Sequence, residues 1–187
     1  MFIVASVSFR LLYVMIILAH DRGTILRTAV TEHPTALPPG NRSVPMGRRP
    51  RHLLRDRDAS YGSEFCERVD TMGITEVVTA PRSPWQNAYV ECVIDSIRCE
   101  CLDHIVIFNE RHLRCVLTSY IDYYHRTRTH LSLDKDCPDS RPVMPPRIGR
   151  VVAVPQVSGL HHRYERLAAR SAPFPLRQCR AAAVPAV

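Results

Sequence analysis

Apolar residues in the first third of the chain cluster or alternate in short blocks, which is the pattern of strands. Phe2 to Ser8 reads as one strand and Phe9 to His20 as a longer one. Asp21-Arg22-Gly23 supplies a tight turn, and Thr24 to Thr31 alternates well enough to return antiparallel to the second strand. His52 to Arg55 and Ile74 to Val78 are further short strands. Between them Ser63 to Met72 is helical, with Phe65, Val69 and Met72 on one face and Gly73 as the stop. From Trp85 to Asp103 the apolar positions Tyr89, Val90, Val93, Ile94 and Ile97 recur at helical spacing. Asn109 then caps a helix whose buried stripe is Leu113, Val116, Leu117, Tyr120, Ile121 and Tyr124. The order of strands and helices implies an α/β layout whose first sheet is antiparallel at one edge.

Two regions depart from this pattern. Pro34, Pro38, Pro39, Pro45 and Pro50, with Gly40 and Gly47, leave no helix of useful length between residues 34 and 50. Beyond Leu133 the chain is rich in Pro and Arg and lacks periodicity, and residues 171–187 read as an unstructured tail. The expected organisation is a core over 1–133, interrupted at 34–50, and a largely irregular extension over 134–187. Met1 to Ala19 is apolar enough to suggest a targeting segment in a small membrane or secreted protein. Arg10 interrupts that run, however, and the nine residues Leu11 to Ala19 fall short of the ~20 that span a bilayer. Two buried strands account for it better.

Composition narrows the partner. The 187 residues carry a formal net charge of +7 and are 45% hydrophobic, enough for one domain with a core. Runs such as Arg48-Arg49-Pro50-Arg51 and His125-Arg126-Thr127-Arg128-Thr129-His130 suit nucleic acid, although an arginine-rich soluble protein would show the same charge. Seven irregularly spaced cysteines argue against a disulfide framework and for a reducing compartment. Cys92, Cys99, Cys101 and His104 make a poor zinc set, because Cys101 lies roughly 200° around a helix from Cys99.

The candidate chemistry lies in two acidic positions. Asp56 follows a short strand, and Glu91 sits in the first turns of a helix entered through the Pro-bounded loop Pro81-Arg82-Ser83-Pro84. A strand-end aspartate and a helix-borne glutamate are the carboxylates a two-metal phosphoryl-transfer site uses. Hard oxygen ligands of this kind suit Mg²⁺. Asp58 competes with Asp56, since residues two apart share a face of an extended chain. Near Glu91, Gln86 and Asn87 can hydrogen-bond DNA, and Trp85 either stacks on a base or wedges the loop against the core. Arg98 lies two turns beyond Glu91 and is either a phosphate contact or a solvated cation. Arg126 and Arg128 sit at a helix C-terminus, which favours cations with or without DNA.

Several of these residues also carry a family resemblance. Pro81-Arg82-Ser83-Pro84-Trp85-Gln86-Asn87-x-x-x-Glu91 and Ser96-Ile97-Arg98-x-Glu100-Cys101-Leu102-Asp103-His104 resemble the integrase catalytic core of bacterial insertion-sequence transposases. Phe108-Asn109-Glu110-Arg111-His112-Leu113 and Tyr123-Tyr124-His125-Arg126-x-Arg128-x-His130-x-Ser132-Leu133 do too. Asp56-Arg57-x-x-x-Tyr61-Gly62 is similar to the segment bearing that family's second catalytic aspartate, which favours Asp56 over Asp58. The resemblance implies a ribonuclease-H-like mixed sheet with flanking helices and a catalytic Asp, Asp, Glu set binding two Mg²⁺ or Mn²⁺ ions. It also implies DNA as partner, no small-molecule cofactor and a cytoplasmic, nucleoid-associated location. Self-association or association with an intact transposase would follow as well.

The chain departs from the family in three ways. No acidic residue precedes Asp21, so the first strand is expected to be truncated and the first catalytic aspartate missing. The Pro-rich stretch falls where a helix should cover the sheet. Cys92, Cys99 and Cys115 stand where the family tends to carry basic residues. The expected function is a core for metal-dependent DNA strand transfer that has lost catalysis, with Asp56 and Glu91 as the remaining catalytic and metal-binding carboxylates. The alternative from the binding class is a fragment that binds DNA or a transposase and inhibits.

Overall fold

The computed structural model describes residues 1–33, 50–58 and 61–168. It is a mixed α/β structure in two units, Met1–Glu110 and Arg111–Val187. The Pro-rich segment expected to lack its covering helix lies almost wholly outside the described residues, as does the C-terminal tail.

In the first unit, β1 (Phe2–Ala5), β2 (Leu11–Ala19) and β3 (Thr24–Thr31) form an antiparallel sheet in the order β1-β2-β3. β2 is the central strand, and Leu12, Val14 and Met15 are almost fully buried. The β1–β2 connection is a short turn in which Ser6 N–H donates to the Arg10 carbonyl and Phe9 takes a left-handed φ of 58°. Phe9 is thereby expelled to solvent, so the second strand begins two residues later than its apolar pattern suggests. The β2–β3 turn at Asp21–Gly23 places Gly23 at φ 65°, a backbone region glycine enters without steric cost.

β4 (His52–Arg55) and β5 (Thr75–Val78) pair in parallel, joined by α1 (Ser63–Thr71). Gly73 at φ 69° terminates that crossover as expected. The antiparallel and parallel pairings together are consistent with the ribonuclease-H-like class, with β4–β5 hydrogen-bonded as a ladder of their own. Phe65 and Val69 of α1 pack with Met15, and with Met1, Ile17 and Leu53 at the margin of that cluster. α2 (Ala88–Glu100) follows a 3-10 turn at Pro84–Asn87 and buries Val93, Ile94 and Ile97. A 3-10 turn at Leu102–His104 follows it, so the helix is shorter at both ends than its periodicity suggests.

α3 (Glu110–Arg126) leads into the second unit and buries Leu113, Val116, Leu117, Tyr120 and Tyr124, five of the six stripe residues. Beyond it, the extension expected to be largely irregular contains a hairpin. β6 (Arg150–Gln156) pairs antiparallel with β7 (His161–Leu167). The sequence conceals these strands because Pro155 interrupts the first and charged residues fill the second. Arg163 and Glu165, two apart on one face of β7, form an ion pair at 3.0 Å. His161 stacks on Tyr123 at 4.4 Å between ring centres, which ties the hairpin to α3.

Candidate functional site

Asp56 directly follows β4, so its carboxylate is presented where the strand ends. The side chain is half-buried at 37% exposure, and its Oδ1 accepts a hydrogen bond from the Asp58 N–H at 3.3 Å. Its Oδ2 lies 4.0 Å from the Met1 nitrogen, which sets the start of β1 beside the end of β4. Asp58 also accepts a backbone bond, from the Tyr61 N–H to its carbonyl. Burial raises the Tyr61 hydroxyl well above its ordinary value, and the charges of Asp56 and Asp58 raise it further. Tyr61 therefore stays neutral.

Arg55 braces this corner. It meets Glu76 of the neighbouring strand at 3.0 Å, lies 5.4 Å from the Tyr61 ring centre and reaches the Asp56 carbonyl at 3.3 Å. Both members of the pair are at most one-fifth exposed, so desolvation makes each depend on the other. The sequence offered no local sign of this pair, because the partners meet only through the parallel β4–β5 register. Arg57 turns outward and donates to the Thr79 carbonyl at 3.0 Å.

The second group of predicted residues enters through the loop before α2. Arg82 has φ 58°, a left-handed backbone uncommon for a side-chain-bearing residue. Ser83 makes no helix-capping bond and donates to the Pro81 carbonyl. Gln86 Oε1 accepts the Ala80 N–H at 2.7 Å and closes the loop. Trp85 is 70% exposed, which decides between its two sequence-based roles: it does not wedge the core. Asn87 and Val90 line a cavity of about 210 Å³ together with Met1 and Arg55, bringing the first turn of α2 to the end of β4. Glu91 is the next residue on that helix and is exposed.

The predicted arginines are engaged with the protein. Arg98 donates to the Ile3 carbonyl at 3.2 Å and lies 5.3 Å from the Phe2 ring centre, fastening α2 to β1. Arg126 pairs with Asp122 at 3.2 Å, and Arg128 lies over the Tyr124 ring and meets His130 Nδ1 at 3.2 Å. Burial lowers the His125 imidazole from its ordinary value, so the cationic character of this stretch rests on the arginines.

Among the described residues no group of three or more His, Cys, Asp or Glu side chains is placed to hold a metal ion. Cys92 and Cys99 are exposed thiols, whereas Cys101 is buried and its thiol is pushed up to about 12, chiefly by burial and then by Glu100. Among the described residues no helix is long and apolar enough to cross a membrane, and the apolar N-terminus forms β1 and β2.

Residues 72–138 match the family model of the integrase core domain. The matched stretch contains the Trp85-Gln86-Asn87 loop, Glu91, Arg98 and the Arg126–Arg128 segment, and supports the integrase and transposase core resemblance there. Asp56 lies upstream of it. No curated protein and no solved structure matches the chain significantly. Integrase cores typically use divalent metal ions. Among the described residues no three such side chains converge, so they do not form a two-ion centre.

Proposed function

We propose that the chain is an integrase-type core from the DNA strand-transfer lineage that binds DNA and, by itself, does not join strands. The integrase core match over residues 72–138 carries this reading. Asp56 and Glu91 are its retained catalytic and metal-binding carboxylates, standing for two members of a three-carboxylate set that holds two Mg²⁺ or Mn²⁺ ions in an intact site. Without the third, the geometry that aligns attacking and leaving oxygens of a phosphodiester is not held.

DNA is met by the loop ahead of α2. Trp85 offers an open aromatic face for a base, and Gln86 and Asn87 follow it in the loop. Arg98 and Arg126 are exposed and can add phosphate contacts. The ion pairs of Arg126 are surface pairs worth only about 0–1 kcal/mol, so phosphate can displace them. The net charge of +7 supplies the long-range attraction. The chain acts in the cytoplasm at the nucleoid. Association with a second copy or with an intact transposase would make it an inhibitor, a reading favoured by the openness of the Trp85 loop.

A titration of duplex DNA at increasing salt tests the binding half. Log affinity should fall linearly with log salt, with a slope near −0.9 per phosphate neutralised. A flat response would remove DNA from the account.

A further inference from the structure

Two aromatic side chains at the start of α2 lie open to solvent. Trp85 is 70% exposed and Tyr89 67%, whereas Val93, Ile94 and Ile97 of the same helix are buried. The 3-10 turn Pro84–Asn87 runs into α2 without a break. Residues four apart in such a run share a face and stand about 6 Å apart along the axis. Both positions are braced from within. Pro84 fixes the backbone one residue ahead of Trp85, and the Gln86 amide oxygen accepts the Ala80 N–H at 2.7 Å. The His20 ring meets the Tyr89 ring at 5.0 Å and 72°.

Exposed aromatic rings side by side mark a contact surface. Nucleic acid suits this one. Both residues lie in the stretch that matches the integrase core domain, residues 72–138. Arg82 and Arg98, before and after them in the chain, are exposed cations, and the net charge is +7. In paired DNA each interior base has both faces covered by its neighbours. A protein ring therefore stacks fully only on a base that has left its pair.

We propose that Trp85 and Tyr89 form a stacking platform for two successive unpaired bases, so that this surface prefers DNA with locally opened pairs over fully paired duplex. The proposal rests on the DNA-binding reading of the same loop and adds Tyr89 as a second base-contacting residue. Gln86 is a positioning residue here, because its amide oxygen is engaged inside the loop. Every base has a π-face, so the preference is for unpaired structure and not for sequence. Fully paired duplex still binds through its phosphates, but must open pairs to reach the rings.

Trp85 is the single tryptophan of the chain, so its fluorescence reports on the platform alone. The full chain is titrated with a duplex carrying two central mismatched pairs, and with the fully paired duplex of equal length and charge. The mismatched duplex should bind about tenfold tighter and quench Trp85 emission. Tyr89→Ala should weaken that binding about tenfold, and Tyr89→Phe, which keeps the ring, should not. Equal affinity for both duplexes with ordinary salt dependence overturns the platform and leaves the DNA-binding reading standing. Tighter binding without quenching, or without loss in Tyr89→Ala, also overturns the platform. No salt-dependent binding of either duplex overturns both. Acrylamide quenching of the free chain completes the test: an indole shielded before DNA is added would show that the protein covers this face itself, which contradicts the proposal.

Discussion

The end of β4 and the start of α2 carry the two candidate carboxylates, and they are built in opposite ways. Around Asp56 nearly every polar group has a partner within the fold: Arg55 with Glu76, Asp56 with Asp58, Arg57 with Thr79. Around Glu91 the loop is closed by Ala80 N–H donating to Gln86 Oε1 and by Ser83 donating to the Pro81 carbonyl, and Trp85 and Tyr89 are exposed. The first region is held by the largely buried Arg55–Glu76 pair, which is costly to break, and the second keeps its surface for something else. A carboxylate that must stay in place belongs to the first kind of setting. Groups that meet a large, variable polymer belong to the second.

Substitutions can break this contrast at either end. The largest effect is expected for Phe65→Ala, which removes the aromatic packed under β2 and beside Tyr61. Urea unfolding should show a loss of about 3–5 kcal/mol. A cost below about 1 kcal/mol would mean the β4 side is no better packed than the α2 loop. Arg55→Met keeps the side-chain stem but strands Glu76, and should cost roughly 3 kcal/mol by the same measurement. Restoring stability with Glu76→Gln in the double variant would trace the loss to the orphaned carboxylate.

At the other end, Trp85→Ala should leave stability within about 0.5 kcal/mol. It should instead weaken DNA binding by about tenfold, in line with ~1–3 kcal/mol for stacking on one base. A variant that unfolds readily while binding normally would invert the comparison. The smallest test is chemical. Cys92 and Cys99 on the open faces of α2 should react with iodoacetamide near neutral pH, and Cys101 should not, since burial holds its thiol at about 12. Peptide mass mapping after brief labelling distinguishes them, and equal labelling of Cys101 would show that this helix end is not packed.

What the sequence disclosed follows the range of the interactions. The strands of the first sheet, Gly73 as a stop and the α3 stripe are local patterns, and they appear nearly where their periodicity puts them. Trp85-Gln86-Asn87 and Glu91 stood out in the sequence through the family resemblance they carry. By contrast the Arg55–Glu76 pair depends on strand register, and the tie from Arg98 to Phe2 and Ile3 joins residues far apart in the chain. No local pattern encodes either. The β6–β7 hairpin stayed hidden for another reason: Pro155 and the charged face of β7 contradict ordinary strand composition.

The most direct measurement incubates the chain with duplex DNA and either Mg²⁺ or Mn²⁺, then resolves bound and covalently joined species in parallel. The account predicts a complex that dissociates with salt and is weakened by Trp85→Ala, with no joined product in either metal. Joined product that disappears in Asp56→Asn or Glu91→Gln would contradict it, because the chain's own carboxylates would then suffice for strand transfer.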